Sequence, residues 1–308
     1  MIKVKQKMPA KINLTLDITG VNERFHEINS LVASIDVCDT VTIIKRKDDI
    51  VTLREKGIPA GCSTVDNNAF KAAKLFMQTF HTNGVDIIID KKIPVSGGLG
   101  GSSADAVAVL IGMNKLYKVG GALKPLADKL GSDTGYMLGG GYAKISGRGD
   151  IVTKIDSDKT LYLLLIAEDT GITAKECYKL YDELNLPITH SADKAVEILT
   201  KNSENWLEEF SNTVKNDLYE PAKLKINNLE SNILALKNSG ALVSLMTGSG
   251  STVYGIYESK RARDDAFKEL KKTIPERLLL PAKTLHNKTL FEKTFYKYFN
   301  KKDASESE

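Results

Sequence analysis

The chain runs to 308 residues, 43 of them basic and 39 acidic, for a formal net charge of +4. Hydrophobic residues at 42% and charged residues at 27% are the proportions of an ordinary globular protein; they exclude fibrous and low-complexity classes, and the length suits one large domain or two. The basic excess is scattered rather than gathered in one run, so a solvated mixed-charge surface is expected and a nucleic-acid partner is not.

The opening MIKVKQKMPAKINLTLDITG lacks the apolar core of a signal peptide. Residues 11–18 alternate apolar and polar at strand period and residues 40–44 (TVTII) are β-branched, so an antiparallel β opening is expected. After the turn-rich KGIPAGCSTVDNN, the segment AFKAAKLFMQTF has helical spacing, with Ser63, Thr64 and Asp66 as candidate caps. VDIII then reads as a strand that passes through PVSGGLGGSSAD (residues 94–105) into a segment apolar on nearly every face, hence a buried helix. A short helix is predicted over 123–130 and ends at Gly131. Ser132 and Asp133 stand where the next helix begins, and Gly139, Gly140 and Gly141 stop it. Residues 142–155 and 161–167 read as strands; the latter, LYLLLIA, is the longest apolar run and too short to span a membrane.

Further helical patterns lie at 174–184, 193–200, 206–210, 221–238 and 259–274, and ALVSLMTGSGSTVYGIYES reads as a strand, a glycine turn and a second strand. Mixed in this order, without a regular βαβ repeat, the elements indicate an α+β architecture. The polar break IDSDKT separates residues 1–157 from 158–285. Residues 286–308 form an extension in which Phe291, Phe295, Tyr298 and Phe299 keep helical spacing and the charged end is expected to be disordered. Cys38, Cys62 and Cys177 are widely separated and odd in number, which predicts no disulfide framework and a cytoplasmic protein with no membrane partner.

The strongest chemical signal is PVSGGLGGSSAD. Glycines and serines between a strand and a buried helix let several backbone amides converge on one point at the positive end of the helix, where a phosphate is well held. It is neither a Walker A loop nor GxGxxG, and a glycine run can equally be a turn that binds nothing; its place before a buried helix favours the anion site. There a Cβ at Gly98 or Gly101 is expected to meet a phosphate and to leave folding largely intact.

This loop resembles the signature loop of the GHMP kinases, small-molecule kinases that include galactokinase, homoserine kinase and mevalonate kinase. PAKINLTLDITG, RFHEINSLVASIDVCDTVTI, LGSDTGYMLGGGYAKISGRGD, VKNDLYEP and MTGSGSTVYGIY extend the resemblance from Met8 to about Pro281. They narrow it to the branch that phosphorylates a cytidine diphosphate-linked methylerythritol in the non-mevalonate route to isoprenoid precursors. The resemblance implies a two-domain fold, the N-terminal part like ribosomal protein S5 domain 2 and the C-terminal part a ferredoxin-like α/β sandwich. It implies ATP and Mg²⁺ as cofactors, a small-molecule partner, and a monomer or homodimer.

Residue by residue, the resemblance sets ATP against Pro94, Gly97, Gly98, Leu99, Gly100, Gly101, Ser102 and Ser103, with Asn67 near the adenine. It matches Lys11 and Asp133 to a catalytic pair, in which an aspartate takes or orients the proton of the attacking hydroxyl and a lysine offsets charge on the phosphoryl group. Taken alone, Asp133 also reads as a helix cap and Lys11 as a strand charge. Phe25, His26 and Tyr178 match the family's cytidine site, the rings of Phe25 and Tyr178 stacking on the pyrimidine, and Asn13 matches a polar substrate-side position. The magnesium ligands are not legible, Ser103 being one candidate. Phe25 replaces the family's usual tyrosine, Ala104 a second serine, and Thr134-Gly135 a Val-Pro. The rival readings are a GHMP kinase for another small alcohol and a binding protein that kept the fold and lost turnover.

Overall fold

The computed structural model describes residues 2–21, 25–58, 61–168 and 171–286. The expected helical face at Phe291, Phe295, Tyr298 and Phe299 and the expected disorder of the C-terminal end lie outside the described residues. The chain opens with β1 (Lys3–Asn13), β2 (Asp17–Val21) and β3 (His26–Lys45). β4 (Thr52–Gly57), α1 (Asn68–Phe80) and β5 (Val85–Lys91) follow, then α2 (Gly101–Tyr117), α3 (Lys124–Ala127), α4 (Ser132–Gly139), β6 (Tyr142–Gly147) and β7 (Ile151–Ile155).

The 20-residue β3 organises this first sheet, because each of its ends has different neighbours. Along one edge lie β2, paired Asp17 to Asn29, and then β1, paired from Asn13 with Val32 to Lys3 with Ile44. Along the other lie β6 at the start and β5 at the end. β1 and β2 separate at a bulge: the amides of Leu14 and Thr15 both donate to the Leu31 carbonyl, at 2.7 and 3.2 Å, which turns the chain and frees the Thr15 carbonyl. α2 lies against β1 and β3 with α1 and α4 beside it, and every residue from Ala104 to Asn114 is buried, as a helix without a polar face requires.

The second half holds β8 (Tyr162–Ala167), α5 (Ala174–Leu184), α6 (Ser191–Thr200), α7 (Trp206–Thr213), α8 (Tyr219–Lys223), α9 (Leu229–Asn238), β9 (Val243–Met246), β10 (Val253–Tyr257), α10 (Lys260–Thr273) and β11 (Leu278–Lys283). Its antiparallel sheet runs β11-β8-β10-β9, the ferredoxin-like order. Leu163 and Leu165 join the core shared with the first half, whereas Leu164 and Ile166 join a second core with Cys177, Leu229 and Leu270. Buried on both faces, β8 reads as an unbroken apolar run rather than an alternating one. We place the domain division at residue 157, between β7 and β8, as a proposal. Among the described residues no helix is long and apolar enough to cross a membrane.

Several elements differ from the sequence expectation. α1 is capped by Asn67, whose side chain accepts from the Ala69 amide, and not by Ser63, Thr64 or Asp66. The helix expected over 221–238 is two, α8 and α9, because Asn227 and Asn228 favour a turn between them. β4 and β11 escape the pattern: TLREKG is charged, and LLLPAK carries Pro281, which an edge strand tolerates.

Candidate active site

α2 begins at Gly101 with Gly100 as its cap, in the left-handed region at φ 70°, and the loop before it lines a cavity of about 290 Å³. Asn67, Lys91, Pro94 to Ser103, Asp105 and Asp133 form its walls. The first amides of a helix have no intrahelical acceptor and sit at the positive end of its dipole, so this cavity suits a polyanion. The glycines have a second reason to be there. A Cβ on Gly98 would lie 2.3 Å from the Thr247 carbonyl oxygen, one on Gly97 2.3 Å from Thr252 Oγ1, and one on Gly100 2.5 Å from Met137 Cε. Gly98 also sits at φ 74°. The loop is packed against the 246–252 turn before any ligand arrives, so the expectation that a side chain at Gly98 spares folding is corrected. At Gly101 a Cβ would meet Ile93 Cγ2 at 3.0 Å and Lys91 Nζ at 3.3 Å.

Lys11 is 5% exposed, and its backbone amide donates to the Leu99 carbonyl at 3.0 Å, which ties β1 to the loop. Its Nζ lies 3.7 Å from Asp133 Oδ2 and donates to Asn13 Oδ1 at 2.6 Å. Asp133 occupies the first turn of α4, whose cap is Gly131 with no side-chain capping bond. The capping reading of Asp133 therefore falls, and its carboxylate faces Lys11 and the cavity. The neighbouring Thr134 is buried, with its hydroxyl bonded to the Ala127 and Gly131 carbonyls, and Ala104 is buried in the core.

Behind the loop lies a cluster that sequence reading missed. Lys91 Nζ donates to Asp39 Oδ2 at 2.5 Å and to Asp105 Oδ2 at 2.7 Å, and Asp39 Oδ1 accepts the amides of Lys92 and Ile93. Burial pulls the Lys91 ammonium down, but Asp105 and Asp39 outweigh it and hold it above its ordinary value. Burial pushes the Asp105 carboxyl up to about 7, more than Lys91 offsets. Among the described residues Asp105 Oδ1 is buried without a hydrogen-bond partner. The available signal was a lone aspartate inside a helix apolar on every other face, since a buried charge must be paired.

His26 and Tyr178 come together face to face, ring centroids 4.6 Å apart and planes at 23°. His26 Nε2 lies 2.7 Å from Asp182 Oδ1, one turn along α5 from Tyr178. A capping box between Thr173 and Glu176 starts α5 and fixes where that turn falls. Burial, then Cys177 and Asp133, push the Tyr178 hydroxyl up to about 12, so Tyr178 feels the Asp133 carboxylate. The Phe25 ring lies 4.7 Å from the Arg148 guanidinium carbon. The ring on the Tyr178 face is thus His26, where the sequence reading paired Phe25 with Tyr178 around a base. Asn67 lines the cavity while its side chain caps α1 and donates to Glu55 Oε1 at 3.0 Å.

Comparison with known proteins places this geometry. The family model of the GHMP kinases N terminal domain matches residues 67–153, and that of the GHMP kinases C terminal matches residues 179–276. The chain is 36% identical over 276 residues to a 4-diphosphocytidyl-2-C-methyl-D-erythritol kinase of Clostridium tetani, covering 87% of this chain and 96% of that one. It is 33% identical over 276 residues to the enzyme of the same name from Clostridium beijerinckii, covering 87% and 96%. The fold is shared with a crystal structure of 4-(cytidine 5'-diphospho)-2C-methyl-D-erythritol kinase, with TM-score 0.78, 23% identity and coverage of 91% of this chain and 98% of that one. It is also shared with the L. major mevalonate kinase, with TM-score 0.71, 17% identity and coverage of 92% and 96%. The expected α+β two-domain architecture holds, and the chain belongs to the GHMP kinases, in the 4-diphosphocytidyl-2-C-methyl-D-erythritol kinase family.

Proposed function

We propose that this protein transfers the γ-phosphoryl group of ATP to the 2-hydroxyl of 4-diphosphocytidyl-2-C-methyl-D-erythritol in the non-mevalonate pathway. The observation that carries the reading is the approach of Lys11 Nζ to within 3.7 Å of Asp133 Oδ2, whose carboxylate lines the cavity where the glycine loop meets the start of α2. The loop amides and the α2 dipole hold the triphosphate, and Asn67 stands by the base. Asp133 accepts the proton of the acceptor hydroxyl as its oxygen forms the new bond to the γ-phosphorus and the bond to the β-phosphate oxygen breaks, releasing ADP. Lys11 offsets the charge that spreads over the γ-phosphoryl oxygens. The Ser103 hydroxyl and the Asp133 carboxylate are the hard oxygen donors that would hold Mg²⁺, which supplies charge neutralisation on the phosphates when bound.

The acceptor is read from the relatives' names together with the aromatic site. Tyr178 offers a flat, half-buried face within the field of Asp133, and His26 adds a hydrogen-bonding edge beside it. A cytosine that displaced the His26 ring from Tyr178 would gain a stack worth roughly 1 to 3 kcal/mol and a polar neighbour at once. The test is acceptor-dependent ADP release, measured with the cytidine substrate and with its uridine analogue. The expected result is release that requires the acceptor and favours cytidine. Release that is indifferent to either, or that another alcohol supports better, overturns the substrate assignment.

A further inference from the structure

Lys11 is held by a chain of buried hydrogen bonds that begins away from the cavity. Lys11 Nζ donates to Asn13 Oδ1 at 2.6 Å, Asn13 Nδ2 donates to Ser30 Oγ at 2.8 Å, and Ser30 Oγ donates to the Thr15 carbonyl at 2.5 Å. Lys11, Asn13, Thr15 and Ser30 are 5%, 7%, 0% and 0% exposed, so water does not complete these contacts. The carbonyl at the end of the chain is the one the bulge between β1 and β2 turns free.

Counting protons fixes the direction of every link. A serine hydroxyl has one proton, and in Ser30 it is spent on the Thr15 carbonyl, so toward Asn13 the oxygen can only accept. The Asn13 amide must then present its NH₂ to Ser30 and its oxygen to Lys11. In the opposite orientation the amide NH₂ would face the ammonium, donor against donor, and the amide oxygen would face a hydroxyl with no proton to give. Leaving buried polar groups unpaired in that way is costly. Asn13 is fixed from its backbone as well: its amide donates to Thr247 Oγ1 at 2.9 Å and its carbonyl accepts from the Tyr254 hydroxyl at 3.0 Å.

We propose that Ser30 is a positioning residue of the phosphoryl transfer, acting through Asn13 to hold the Lys11 ammonium toward Asp133 and the γ-phosphoryl group. This rests on the function proposed above and assigns Asn13, expected from sequence on the substrate side, a role toward Lys11 instead. With one ammonium proton committed to Asn13, the other two are left for Asp133 and the phosphoryl oxygens.

The test is a double-mutant cycle on kcat with Ser30→Ala, Asn13→Ala and the pair, alongside the KM for ATP and the thermal midpoint. Ser30→Ala is expected to lower kcat about tenfold, the effect of one buried hydrogen bond, with the KM for ATP nearly unchanged. In the Asn13→Ala background, Ser30→Ala is expected to change kcat less than twofold, because the link it acts through is gone. Ser30→Thr keeps the hydroxyl and is expected to restore most of the lost kcat. A Ser30→Ala kcat equal to wild type, or the same tenfold loss with and without Asn13, overturns the proposal and makes Ser30 a packing residue. Transfer to water, read as slow ATP hydrolysis, is measured in the same four proteins. If wild type ignores the cytidine acceptor, the substrate assignment fails, while the ratios for hydrolysis still decide the role of Ser30.

Discussion

Lys11 meets Asn13 and Asp133 at once, and its exposure of 5% leaves it no other work in solvent. Removing its ammonium takes away charge that matters most when the phosphoryl group is in flight, so Lys11→Ala should lower kcat at least a hundredfold and change the KM for ATP less than threefold. A collapse of ATP affinity with kcat preserved at saturation makes Lys11 a nucleotide anchor instead. Tyr178 is proposed to face the acceptor. Tyr178→Ala removes the stacking face and is expected to raise the KM for the cytidine substrate about tenfold while the KM for ATP stays constant. An unchanged KM for the acceptor removes the stacking site. Lys11, Asp133 and Tyr178 could be singled out only through the family resemblance of PAKINL, LGSD and ITAKECYK; taken alone each reads as an ordinary strand charge, helix cap or packing residue. Asp182 and Arg148 could not be, since a carboxylate on an exposed helix face and a guanidinium in a turn look like any solvated charge until the fold brings His26 and Phe25 to them.

The glycine loop and the 246–252 turn act as one element. A Cβ at Gly98 would sit 2.3 Å from a backbone oxygen that cannot move aside like a side chain, so Gly98→Val should lower the thermal midpoint by several degrees as well as abolish ATP binding. A variant as stable as wild type that has lost only ATP contradicts the packing account. The two glycine motifs were visible in the sequence; their contact was not, because residues near 98 and 247 are brought together only by the second sheet. Behind the loop, Asp105 gives the element a pH signature. Its carboxyl lies at about 7 in the fold against 3.8 ordinarily, so the protonated form is favoured in the folded state. A group raised in this way contributes stability that is present at low pH and is lost as pH rises from about 4 through 7. Asp105→Asn cannot titrate, so the unfolding free energy of wild type minus that of the variant should fall across this window in chemical denaturation. A difference that stays level or rises there means that Lys91 keeps Asp105 ionised.

The two halves of the molecule share a core and are joined by hydrogen bonds between them. Leu163, Leu165, Tyr254 and Ala282 of the second half pack into the core of the first, and Asp17 accepts from Thr189, Ser191 and the Ala192 amide. The Tyr142 hydroxyl donates to Thr284 Oγ1 as well. This is why Lys11 from β1, Asp133 from α4 and Tyr178 from α5 can be held near one another without a ligand. The α+β class and the ferredoxin-like half were readable from the order of elements and the family motifs. The full 20-residue length of β3, which decides where β1 and β6 run, was not, because the half that pairs with β6 and the half that pairs with β5 meet different neighbours. In the proposed reaction Lys11 and Asp133 direct the γ-phosphoryl group of ATP onto an alcohol. γ-Labelled ATP and the cytidine acceptor, followed in wild type and in Asp133→Asn, which keeps the size of the side chain and removes its proton acceptor, decide this. Label is expected to move to the 2-hydroxyl in wild type and to stay on ATP in a variant that still binds ATP; transfer by Asp133→Asn at the wild-type rate would remove Asp133 from the proton transfer.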